Sequence, residues 1–92
     1  MRVGTVKEVK NHEYRVGLTP ESVRELVAHG HEVWVETGAG DGIGATDAAY
    51  AAAGGVIKPR ATDIFSSCEM VVKVKEPQAA ERTQLREGQV LY

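Results

Sequence analysis

Glu69-Met70-Val71-Val72-Lys73-Val74 is the run whose reading decides the fold. Met70, Val71, Val72 and Val74 make it nearly continuous in apolar side chains, without the alternation of a strand that shows one face to water. Such strands are covered on both faces, which is the environment of a parallel sheet between helical layers. Weaker runs of the same kind at Arg2–Val6, Val33–Val35, Val56–Ile57 and Gln89–Tyr92 predict four further strands.

Helical patterns fill the intervals. Thr19-Pro20-Glu21 supplies a hydroxyl N-cap, a proline in the first turn and a carboxylate at the positive end of the dipole. Val23, Leu26 and Val27 follow at helical spacing, and Gly30 ends the element. His29 and His31 flank that end, where capping of the dipole explains them. A second helix starts at Thr46-Asp47 and runs through Ala48–Ala53, its alanines suited to a close approach to the sheet. Shorter helices are expected at Ala61–Ser66 and Gln78–Arg86. The order β-α-β-α-β-α-β-α-β, with right-handed crossovers, predicts an α/β fold: an open, mostly parallel Rossmann-like sheet with helices on both faces.

Composition bounds the rest. Ninety-two residues with 42% hydrophobic and 26% charged side chains make one small domain, not a two-domain enzyme. A net charge of −2 predicts neither nucleic-acid nor anionic-membrane binding. No apolar run approaches the roughly 20 residues that span a bilayer. The lone Cys68 lacks a disulfide or zinc partner and reads as a small buried residue, which with the absence of a signal-like leader predicts a cytoplasmic protein. The chain stops at Leu91-Tyr92 within a strand pattern, which points to a truncated domain with an uncovered edge and apolar faces, prone to self-association.

In open α/β sheets ligands bind beyond the carboxyl ends of the strands. Three segments belong there: the polar loop from Glu8 to Val16, the glycine loop Gly38–Gly44, and Lys73-Val74-Lys75-Glu76-Pro77. The first and third bring Arg15 and Lys75 to one rim. An arginine fork binds a carboxylate through two parallel charge-assisted hydrogen bonds, and a lysine adds a point charge. Position alone favours solvated loop charges, paired with Glu13 or Glu76, over a site, since most loop cations do nothing specific. Gly40-x-Gly42-x-x-Ala45 satisfies a permissive dinucleotide fingerprint, but the excursion from Glu36 to Thr46 is too long for the required strand-to-helix turn. It reads instead as a flexible or contact-making surface loop. His12 lies near Arg15 and could titrate near neutrality, or is merely solvated. No metal-ligand spacing and no nucleophile motif occurs.

Three stretches taken together resemble the alanine dehydrogenase and nicotinamide nucleotide transhydrogenase family. They are Glu8 to Val16 followed by Leu18-Thr19-Pro20, Gly30-His31-Glu32-Val33 with Glu36-Thr37-Gly38-Ala39-Gly40, and Lys73-Val74-Lys75-Glu76-Pro77. They occur in the family's order and spacing and run over essentially the whole chain. Lys75 favours the alanine dehydrogenase branch, because transhydrogenase α chains tend to carry another residue there.

The resemblance implies residues 1–92 as the N-terminal portion of a substrate domain. Its enzyme interconverts L-alanine with pyruvate and ammonium and uses NAD held by a separate domain absent from this chain. Arg15 and Lys75 match the family's substrate-binding residues: Arg15 for the carboxylate, Lys75 for the carboxylate or the carbonyl oxygen. The family's catalytic histidine and aspartate have no counterpart in these 92 residues, so the chain alone is expected to be inactive. The implied partners are the small-molecule substrate and further copies of the chain, hexamers being common in the family. Alternatives are a transhydrogenase α subunit and a non-enzymatic module that binds small carboxylates or drives oligomerisation.

Overall fold

The computed structural model describes residues 1–8, 16–73 and 90–91. Its strands are β1 (Arg2–Thr5), β2 (Glu32–Glu36), β3 (Val56–Lys58), β4 (Met70–Val72) and β5 (Val90–Leu91). The helices are α1 (Pro20–Ala28), α2 (Asp47–Ala52) and α3 (Ala61–Ser67). The strands form one sheet in the order β3-β2-β1-β4-β5, with every neighbouring pair parallel. The α/β fold with a parallel sheet is thus as the apolar run at β4 predicts. The expected helix at Gln78–Arg86 lies outside the described residues.

The period-2 alternation of strand side chains sorts the core into two layers. Val3, Val33 and Val35 join Val23 of α1 and Tyr50 of α2 in one buried cluster. Val6 and Val71 join Ile64, Phe65 and Cys68 in the other, with Trp34 packed against it. Register explains the split: Val3 pairs with Val33 and Met70, and Gly4 with Trp34 and Val71. So α1 and α2 cover one face, and α3 covers the other. Gly4 is what lets α3 come down on β1, since a Cβ there would stand 2.4 Å from Ile64 Cγ2 and 2.6 Å from Cys68 Sγ. Cys68 is fully buried, as expected of a small apolar residue.

One detail of the helices differs from the sequence expectation. The packing residues of α2 are Tyr50 and the following Ala53, whereas Ala48, Ala51 and Ala52 are exposed. One aromatic ring reaches the core and the alanines merely favour the helix. At the end of α1 backbone groups make the capping hydrogen bonds: Gly30 N donates to Val27 O and His31 N to Leu26 O, at 3.0 and 3.1 Å. His31 Nδ1 is buried without a hydrogen-bond partner among the described residues. The start of α1 is as read, with the Thr19 hydroxyl accepting from Ser22 N.

An apolar groove remains on the α1 side of the sheet, lined by Val3, Gly17, Leu18, Leu26, Met70 and Val72. No described helix is long and apolar enough to cross a membrane.

Candidate functional site

In this strand order the chain runs outward from β1 to β2 and β3, then returns to put β4 on the other side of β1. The connections therefore diverge between β1 and β4. A crevice opens outside the carboxyl ends of strands at such a switch point, and ligands of open α/β sheets bind there. Arg15 and Lys75 belong to the chain segments that follow β1 and β4 in sequence.

The stems of those segments are tied together. Past the last ladder pair, Thr5 with Val72, Glu8 and Lys73 form an ion pair with Lys73 Nζ 3.1 Å from Glu8 Oε1. Both side chains are only 2% exposed. Thr5 Oγ1 donates to Val72 O at 2.9 Å. Where the chain returns after the first loop, Gly17 lies so close to β4 that a Cβ would meet Val72 O at 2.3 Å. Only glycine permits that approach. The first loop thus departs at Glu8 and re-enters at Val16-Gly17, both against the end of β4. Arg15 and Lys75 lie outside the described residues, Arg15 two positions before Gly17 and Lys75 two after Lys73.

The glycine loop after β2 borders the same rim. Lys7 N donates to Glu36 Oε1 at 2.7 Å, joining the end of β1 to that of β2. The loop contains a short 3-10 turn, Asp41–Ile43, and is stapled rather than loose. Asp47, in the first turn of α2, accepts from Gly38 N at 3.0 Å and from the Thr37 hydroxyl. Those two hydrogen bonds hold the Asp47 carboxyl below the usual carboxylate range. The Thr46 hydroxyl caps α2 by accepting from Ala49 N at 3.1 Å. The Gly38 N–H is thus held by an aspartate, and Gly40, Gly42 and Ala45 of the fingerprint belong to the same stapled excursion between β2 and α2.

The Glu8–Lys73 pair was not among the sequence expectations. That pair joins two residues 65 positions apart, whereas Glu13 and Glu76, the partners offered for Arg15 and Lys75, lie outside the described residues. The available signal was Lys73 itself, a cation inside an otherwise apolar run. His12 lies outside the described residues. Among the described residues no group of three His, Cys, Asp or Glu side chains could hold a metal ion.

Comparison with known proteins gives this geometry its context. The family model for the N-terminal domain of alanine dehydrogenase/PNT matches residues 4–92. The chain belongs to that family. It is 47% identical to the alanine dehydrogenase of Halomonas elongata over 92 residues, all of this chain and 25% of that protein. It is 44% identical to the NAD(P) transhydrogenase subunit alpha of Cereibacter sphaeroides over 91 residues, 99% of this chain and 17% of that one. A solved L-alanine dehydrogenase structure superposes with a TM-score of 0.95 at 52% identity, over 99% of this chain and 25% of the other. The family member described here thus spans about a quarter of the length of the alanine dehydrogenases it matches.

Proposed function

We propose that this chain supplies the substrate-carboxylate side of the active site of an NAD-dependent L-alanine dehydrogenase, as its N-terminal portion. The overall reaction is L-alanine, NAD and water to pyruvate, ammonium and NADH. The observation that carries the reading is the tying of the β1 and β4 loop stems at the switch point, the Glu8–Lys73 contact of 3.1 Å, in a chain of this family.

Arg15, on the first loop, clamps the substrate carboxylate through parallel hydrogen bonds, and Lys75, on the second, contacts the carboxylate or polarises the carbonyl oxygen. Two fixed cations of this kind orient the α-carbon and stabilise negative charge on oxygen without reorganising during the reaction. Lys73 is assigned to the scaffold in this reading, its ammonium lying 3.1 Å from the Glu8 carboxylate. Proton transfer and NAD binding belong to parts of the complete enzyme outside these 92 residues. The protein works in the cytoplasm as a homo-oligomer in this reading.

Resemblance to a transhydrogenase α subunit supports a second reading, in which hydride passes between nucleotides and no amino acid is used. The test is an assay of the complete protein for L-alanine-dependent reduction of NAD, beside an assay for hydride exchange between two nucleotides. Alanine turnover is expected in the complete protein and none in the 92-residue chain. Nucleotide exchange without alanine turnover selects the second reading, and pyruvate binding without either reaction selects a non-enzymatic carboxylate module.

A further inference from the structure

The Glu8–Lys73 pair stands beyond Thr5 and Val72, the last β1–β4 ladder pair among the described residues. Both side chains are almost wholly removed from water, although two apolar residues could fill the same space without desolvating charge. What an ion pair adds to apolar contact is direction: one ammonium must meet one carboxylate oxygen, and that fixes the offset between the two chain segments. Those segments are the stems of the loops bearing Arg15 and Lys75. The Thr5–Val72 hydrogen bond and the Gly17 contact bring the returning end of the first loop to the same point on β4.

We propose that Glu8 and Lys73 are positioning residues: their buried ion pair sets the offset between the two loops and thereby the affinity for the substrate carboxylate, with neither residue touching substrate. The proposal rests on the dehydrogenase reading for its substrate. It also divides the labour within Lys73-Val74-Lys75, assigning Lys73 to the scaffold and Lys75 to the ligand.

The test uses the complete enzyme with Glu8→Gln, Lys73→Met, Lys73→Arg and the double variant Glu8→Leu/Lys73→Met. In wild type and each variant, KM is measured for pyruvate and for NADH, with thermal stability and hydrogen exchange over residues 9–17 and 73–77. Glu8→Gln and Lys73→Met are expected to raise KM for pyruvate about tenfold or more, with KM for NADH unchanged and faster exchange in those two segments. Lys73→Arg, which keeps the charge, recovers most of the pyruvate affinity. The double variant recovers stability but not affinity.

Pyruvate KM within about twofold of wild type in folded Glu8→Gln overturns the proposal. So does a double variant in which affinity returns together with stability, because the pair would then act through stability alone. Should Lys73→Met not fold, Glu8→Gln and Lys73→Arg decide by the same criteria. Should the wild-type enzyme not use alanine or pyruvate, the dehydrogenase reading fails by itself. Exchange over residues 9–17 then decides the tie, faster in Glu8→Gln if it stands and unchanged if it does not.

Discussion

Tyr50 is fully buried in the cluster beneath α1 and α2, and its hydroxyl donates to Leu18 O at 2.7 Å. Burial, reinforced by the nearby Glu21 carboxylate, pushes the phenol up to about 12. Tyr50→Phe leaves the Leu18 carbonyl without its donor and should lower stability by about 1–2 kcal/mol at neutral pH. The alkaline limb carries the sign of the shift. A phenol that ionises near pH 10 when unfolded and near 12 when folded retains its proton in the native state, so its contribution is complete below about pH 10 and is lost on rising toward 12. Urea unfolding at pH 7 and pH 11 should show that loss in wild type and its absence in Tyr50→Phe. This contact was not legible in the sequence, where Tyr50 sits in an alanine run that suggests the alanines do the packing.

At the scale of elements, helix starts and strand runs were readable because their causes are local. Thr19-Pro20-Glu21 caps α1 as its composition requires, and the valines of β4 form a central strand. The glycine loop was only half readable, because Thr46 marks the start of α2 while the hold of Asp47 on Gly38 and Thr37 reaches back across ten residues. That hold predicts an acid effect. The native Asp47 carboxyl lies below its ordinary value, so its stabilisation is present above about pH 4 and is lost as pH falls through the native value. Asp47→Asn should be less stable than wild type at pH 7 by about 0.5–1 kcal/mol, discounted for the partial exposure of the site. Its stability should also fall less steeply below pH 4, as thermal melts from pH 7 to pH 2.5 would record. A parallel acid limb in the variant would remove Asp47 as its source.

For the whole molecule, the decisive fact is the strand order, and no local pattern contains it. Apolar continuity predicts parallel strands and helices on two faces, but the return of β4 to the far side of β1 depends on pairing across some 67 positions, as in the Thr5–Val72 bond. Without that return, Glu8 and Lys73 are merely two charges in separate motifs. With it, they tie the ends of β1 and β4 at the point of the described sheet where the connections diverge. The same topology leaves the groove lined by Val3, Leu18, Leu26, Met70 and Val72 on the α1 side of β4. The segments of the candidate site could be named from sequence, but that the chain leaving β1 and the chain leaving β4 start side by side, at Glu8 and Lys73, follows only from the long-range fold.

In the proposed clamp, Arg15 and Lys75, on the segments that follow β1 and β4, hold the substrate carboxylate. The most direct measurement is steady-state turnover of the complete enzyme with Arg15→Ala beside Lys10→Ala, a cation removed from the same loop. Arg15→Ala should reduce kcat/KM for pyruvate by about a hundredfold or more, the scale of a lost bidentate charge-assisted contact, with Lys10→Ala close to wild type. Equal and small effects of the two substitutions would contradict the carboxylate clamp.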